Sequence, residues 1–278
     1  MSGDFRLPPM GFGPGSRSGG EDLGYMNMPQ DMRTYALHIP ETQADADAVA
    51  LLAEVAVAAR RVACEGGVQQ FDLSGLSAPA RALLAEVLGE GEVSIRIAGT
   101  PAIAVQESVF AGVWRLKGDG LDRIEVAAVP QLALSRAFEP KRAPQGSATP
   151  LIEGLANAPA LLVELLGKSA IFKHGQALPG QAPHVINLTL LPHTEPDLQW
   201  LGKALGTGAV TVLSRGYGNC CISATATCGV WRVQFFNSMD ALILDTFEVA
   251  GMPEVALAAG EDLADSAARI EAVLEAIA

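Results

Sequence analysis

Three of the four cysteines, Cys220, Cys221 and Cys228, fall in one short stretch. That density raises metal or iron–sulfur chemistry, because thiolates are the usual ligands of both. The spacing resists it. Neighbouring residues of a strand point to opposite faces, so Cys220 and Cys221 reach one ion only across a bulge. No CxxC pair is present, and a histidine or carboxylate ligand has to come from elsewhere in the chain. We therefore read these cysteines as small hydrophobes of a strand, with Cys220 alone placed beside a glycine-rich loop where it meets a partner. No metal-ligand set and no cofactor is assigned.

The loop itself is the second candidate. Ser214 is followed by Arg215, Gly216, Tyr217, Gly218 and Asn219. Two glycines around a tyrosine, preceded by arginine, bring backbone N–H groups and a guanidinium close to a ligand carboxylate or carbonyl. A hairpin turn with a surface tyrosine has the same composition. A third candidate is Gln234 to Asp240, where Gln234, Asn237 and Ser238 mix with Phe235, Phe236 and Met239. Amides beside aromatics and methionine suit a protein-binding surface. His193 stands just before Thr194 and Asp197, a pair spaced as a helix capping box, and is a candidate proton carrier or ligand. Nucleophile elbow, P-loop, dinucleotide fingerprint and HExxH are all absent, and four histidines supply no dyad. We assign no catalytic residue and expect no enzyme; the named residues are partner-binding candidates.

Charge and composition narrow the partner. Nineteen Lys and Arg against 31 Asp and Glu give a net charge of -12, which repels phosphate backbones and anionic membranes and suits a basic segment of another protein. No run of about 18 uncharged apolar residues occurs, and no signal peptide opens the chain. A cytoplasmic protein is expected. Arg60 and Arg61 lie deep in a helical pattern and do not make an export signal.

The elements that position these residues come in two sets. Residues 1–32, rich in Gly and Pro, read as a flexible arm, 139–150 as a linker, and 33–138 and 151–278 as related units. Adding 117 to the residue number carries Leu88, Gly89, Gly91 and Val93 onto Leu205, Gly206, Gly208 and Val210, and Gly112-Val113-Trp114-Arg115 onto Gly229-Val230-Trp231-Arg232. Such self-similarity marks a duplicated unit. In each half the apolar spacing predicts helix, strand, helix and then three strands: helix 46–63, strand 68–73, helix 77–88, and strands 92–97, 103–116 and 123–127 in the first. The second repeats it with helix 151–166, strand 185–190, helix 195–205, and strands 210–213, 220–236 and 241–249. A last helix, 262–277, closes the chain. Successive strands without intervening helices call for antiparallel sheet, so the fold class is α+β, with two tandem units about a pseudo-twofold axis.

At these residues a resemblance becomes specific. Leu190–Gly206, Leu213–Cys220, Val230–Ser238, Leu242–Val249 and Pro253–Ala256 resemble the C-terminal region of the hydrogenase accessory family called HupH or HyaF. The N-terminal arm also resembles that family, through Gly13-Pro14-Gly15-Ser16, Met28-Pro29 and Met32-Arg33-Thr34-Tyr35. The resemblance implies a chaperone in the maturation of a nickel–iron uptake hydrogenase. It would hold the iron–sulfur small-subunit precursor, with its twin-arginine signal peptide, before export, together with a thioredoxin-like accessory protein. An iron–sulfur or metal carrier for the same hydrogenase is the alternative. The family transfers no catalytic residues, so Arg215, Tyr217, Asn219, Gln234 and Asn237 stand first as interaction candidates.

Overall fold

The computed structural model describes residues 40, 44–173, 182–215 and 219–277. The expected arm 1–32 and the N-terminal stretches of the resemblance lie outside the described residues. The described chain is α+β: ten strands in one antiparallel sheet, with six helices.

Helix α1, Ala46–Glu65, begins at Asp45, whose carboxylate accepts from the Asp47 and Ala48 N–H groups. Strand β1 is Gln69–Asp72, and α2, Ala78–Leu88, starts on Ser77, whose hydroxyl accepts from Ala80 N–H. Strands β2 to β5 are Val93–Ile97, Ile103–Glu107, Val113–Gly118 and Leu121–Val126, followed by a short helix α3, Gln131–Arg136. The second half runs α4 Ala158–Lys173, β6 His184–Asn187, α5 Glu195–Leu205, then β7 to β10 at Val210–Ser214, Asn219–Ala224, Val230–Phe236 and Leu242–Val249. Helix α6, Gly260–Ile277, ends the order.

Each half thus has four strands after its second helix, where three were expected. The expected strands 103–116 and 220–236 are each broken by a tight turn. In the first, Ser108 N–H donates to Val113 O (2.9 Å), Val113 N–H to Phe110 O (3.1 Å) and Phe110 N–H to Ser108 Oγ (3.1 Å). The second repeats it with Thr225, Thr227 and Val230 at 3.0, 3.1 and 3.1 Å. Both turns close on a glycine at φ 76°, Gly112 and Gly229, a left-handed conformation that side chains resist.

Strand order is β1-β5-β4-β3-β2-β7-β8-β9-β10-β6. Read outward from the β2–β7 junction, both directions give second, third, fourth, fifth and first strand of a half. Val93 to Ile97 pair with Ser214 to Val210, so one sheet continues through both halves. Segment 139–150 is tied down as well: Lys141 and Arg142 N–H both donate to Thr207 O, and Arg142 accepts from Thr207 N–H.

Three core clusters fill the molecule. One face of the central strands packs Ile95, Trp114, Val212, Ile222 and Trp231 under Val129, Ala133, Phe138 and Met252. The indoles take equivalent roles, Trp114 Nε1 donating to Ala127 O (2.9 Å) and Trp231 Nε1 to Ala250 O (3.1 Å). Among the described residues, the opposite face is covered only at its ends. Helices α1, α2 and α6 pack on Val113, Ile124 and Val126, and α4 and α5 pack on Val230, Phe247 and Val249. Helix α6, last in the second half, lays Leu263, Ala267, Ile270 and Val273 against the first half's cluster with Leu52, Val55 and Ala59.

Glu107 carries a charge into this packing. It is buried, and its Oε1 accepts from Gly112 N–H at 3.1 Å. Burial, helped by the carboxylates of Glu92 and Asp262, pushes its carboxyl up to about 7. The folded state then holds a proton that the unfolded chain, titrating near 4.5, has released. This contribution is complete below the unfolded value and is lost as pH rises through 7. From pH 5 to pH 8 the chain is expected to lose about 2 kcal/mol of stability through this group. Glu107→Gln should flatten that slope in urea titrations at the two pH values; an unchanged slope would remove Glu107 as its source.

Candidate functional site

At one end of the second half's sheet the start of β8 meets the turn between β9 and β10. Strand β7 leads out through Ser214, and Asn219 opens β8 opposite Phe236 of β9. The β9–β10 turn, 237–241, therefore lies against the start of β8. Asn219 Nδ2 donates to Asp240 Oδ1 at 3.3 Å, tying the start of β8 to that turn. Asn237 builds the turn itself, its Oδ1 accepting from Met239 N–H (2.9 Å) and Ala241 N–H (3.0 Å), the geometry that favours asparagine in turns. Asp240 takes φ 57° at the corner.

This construction pushes apolar side chains outward. Met239 at the tip is 81% exposed. The β9–β10 register shifts between Leu242 and Leu244, and Leu242 and Ile243 stand 48% and 56% exposed. A bulge of this kind re-aims side chains at a strand end. Beside it, the single-turn segment Leu188–Leu190 packs along β10, where Asp245 N–H donates to Thr189 Oγ1 at 2.9 Å. Leu190, 78% exposed, extends the same rim. Exposed apolar side chains bounded by amides have the composition of an interaction surface.

The predicted residues divide. Arg215, Asn219, Asn237 and Ser238 come together at this end, Arg215 exposed with its N–H on Glu92 O (3.1 Å). Gly216, Tyr217 and Gly218 lie outside the described residues. Gln234 is half-buried on the open face of the sheet, opposite Cys221 and Asp245. His193 is exposed on the connection before α5, its Nδ1 N–H donating to Leu191 O at 2.9 Å. Cys220 needs correction. It belongs to the central core cluster at 4% exposure, and burial, with Cys221 and Glu248 adding, pushes its thiol up to about 12. Period-two alternation turns it inward, so the side chain is removed from the surface where a partner was expected. Cys221 takes the other face, 3.9 Å from Ser223 Oγ.

Leu190 and Ile243 were missed, whereas Met239 stands in the 234–240 segment already read as a protein-binding candidate. Their exposure depends on the turn and the bulge, although the apolar run Leu242-Ile243-Leu244 next to a polar turn was a signal available in the sequence. Arg232 and Asp245 were missed too. The guanidinium holds the buried Asp245 carboxylate at 2.9 and 2.6 Å. An aspartate inside an otherwise apolar strand signals such a partner.

Among the described residues, no group of three or more His, Cys, Asp or Glu is placed to hold a metal ion, and no helix is long and apolar enough to cross a membrane. The architecture is that of an α+β protein offering a rim of exposed apolar and amide groups at one end of a continuous sheet.

The chain belongs to the HupH hydrogenase expression protein family, whose C-terminal conserved region matches residues 46–143 and 155–277. It is 61% identical to the hydrogenase expression/formation protein HupH of Rhodobacter capsulatus over 100% of both chains. It is 38% identical to the hydrogenase-1 operon protein HyaF of Escherichia coli, covering 77% of this chain and 75% of that one. The solved structure of hydrogenase expression protein HupH from Thiobacillus denitrificans is similar at 33% identity, covering 43% of this chain and 94% of its own, with a TM-score of 0.36.

Proposed function

We propose that the chain serves in hydrogenase maturation as a non-catalytic chaperone for the iron–sulfur small subunit of a nickel–iron uptake hydrogenase. It holds the unexported precursor in the cytoplasm with a thioredoxin-like accessory protein. Family membership across both halves carries this reading, and full-length similarity to a protein named for hydrogenase expression and formation supports it. The rim of Leu190, Met239, Leu242 and Ile243, with Arg215 and Asn219 beside it, supplies the contact surface. Exposed apolar groups give area, and the amides and guanidinium give adaptable polar contacts.

The carrier alternative requires converging thiolates. Cys220 points into the core and Cys221 to the opposite face, which disfavours a shared ion. The palindromic strand order, with the matched turns and indole bonds, supports a further part of the proposal: the halves are copies of one unit about a pseudo-twofold axis, and only the second has diverged into a binding end.

Changing Met239 and Ile243 together to aspartate is expected to reduce capture of the small-subunit precursor by about tenfold or more, as loss of an interface hot spot does. Both side chains are exposed, so the thermal midpoint should stay near that of the unchanged chain. Undiminished capture by a folded variant would remove this rim from the interface.

A further inference from the structure

The chain is acidic, yet cations gather on the open face of its sheet. Directly opposed residues of antiparallel strands share a face. One such row crosses six strands without a break: Lys117 faces Ala104, Ala104 faces Arg96, Arg96 faces Thr211, Thr211 faces Ser223, and Ser223 faces Arg232. With strands about 4.8 Å apart, the row is about 24 Å long, the span of about seven residues of extended peptide. Ala104, Thr211 and Ser223, between the cations of the row, are small, so an incoming chain can lie close to the floor there.

Two adjoining depressions follow this row. The larger, of about 800 Å³, is lined by Arg96, Lys117 and Lys141, and the smaller, of about 400 Å³, by Arg142, Lys203 and Arg232; Thr207 lines both. Among the described residues no carboxylate lines either one. Arg96, Lys117, Lys141, Arg142 and Lys203 are all exposed, and among the described residues none makes an ion pair. Five unpaired cations on one face of a chain of net charge -12 form a local field opposite to that of the body. Among the described residues no helix covers the groove. The body outside it is acidic: α6 alone carries Glu261, Asp262, Asp265, Glu271 and Glu275 with Arg269 as its single cation.

We propose that this groove docks an acidic, extended segment of a partner protein, about seven residues long, with its carboxylates on Arg96, Lys117 and Lys141 at one end and on Arg142 and Lys203 at the other. The length selects a peptide over a small anion, which would occupy one depression only. The net charge of -12 selects a peptide over nucleic acid, because a long polyphosphate overruns the groove and meets the like charge of the body. The site is separate from the apolar rim and does not depend on the identity of the hydrogenase subunit.

The test is fluorescence anisotropy at low salt on the full chain, using a dye-labelled peptide of alternating glutamate and serine. The glutamate peptide is expected to bind at least about tenfold more tightly than its glutamine analogue. Arg96→Ser with Lys117→Ser should weaken it by a similar factor, while Arg61→Ser with Lys168→Ser, an equal change of net charge on α1 and α4, should leave it unchanged. Arg96→Lys should retain most of the affinity. Equal binding of the two peptides, equal loss in the control pair, or tighter binding of tripolyphosphate or of a single-stranded oligonucleotide than of the glutamate peptide would overturn the proposal.

Discussion

Replacing Asp197 by alanine is expected to destabilise the chain by about 3 to 5 kcal/mol, because it strips a fully buried acceptor from several backbone donors at once. The carboxylate accepts from Thr194 N–H at 2.9 Å, completing the capping box of α5. It also accepts from Ala156 N–H (2.9 Å) and Ala158 N–H (3.1 Å), at the start of α4. One side chain therefore caps two helices. Burial alone would push its carboxyl up, but the N–H groups of Thr194, Ala156, Ala158 and Asn157 outweigh it and hold it down at about 2. A depressed folded value contributes stability that is present above the unfolded value and is lost as pH falls toward 2. Urea titrations should show the unchanged chain losing about 2 kcal/mol from this group on acidification to the region of its folded value. The alanine variant, already weak at neutral pH, should lack that component. A neutral-pH cost below about 1 kcal/mol would mean that water replaces the carboxylate and that the two caps are not joined.

The second large effect concerns Gly208, where the chain passes against the Thr225 turn. A Cβ there would sit 2.4 Å from Ala137 O, 2.5 Å from Thr225 O and 2.9 Å from Ala224 Cβ. None of these atoms is the end of a flexible side chain, so the backbone has to shift, and with it the bond from Gly208 N–H to Ala224 O. Gly208→Ala is expected to cost about 3 kcal/mol. Gly91 stands in the same relation to the first turn, with its Cβ position 2.2 Å from Ser108 O. Gly167, inside α4, has nothing within 4 Å of its Cβ position, and Gly167→Ala should instead stabilise by about 0.5 kcal/mol or slightly more. Thermal melts of the three variants check the contrast. A Gly208→Ala protein as stable as Gly167→Ala would contradict the close packing.

Much of this was legible where the controlling interaction is local. Ser77 and Thr194 announce their helices, and α5 falls on 195–205 as expected because its cap, its proline and its terminal glycine are adjacent in the chain. Alternation placed Cys220 and Cys221 on opposite faces. The failures share a different cause. Helix α4 begins at Ala158 and not near Leu151, because the carboxylate that satisfies its first N–H groups is Asp197, in another helix. The turns at 108–112 and 225–229 were hidden because Phe110 is fully buried within the first and the threonines of the second suit a strand as well as a turn. The β2–β7 pairing, which merges the halves into one sheet, joins strands more than a hundred residues apart. Composition cannot specify it. Of the site, composition indicated the 214–219 and 234–240 segments, Met239 among them, but the outward turn of Ile243 and the cationic row across six strands exist only once the register is set.

The proposed role is to chaperone the hydrogenase small-subunit precursor. It is tested most directly by anaerobic capture with the purified full chain, offering precursor and mature small subunit separately and assaying iron in this chain alone and in each complex. The account predicts capture of the precursor at least about tenfold in excess over the mature form, with no iron in this chain before it meets its partner. Capture of neither form, with iron bound to this chain by itself, would contradict the account and leave the carrier reading in its place.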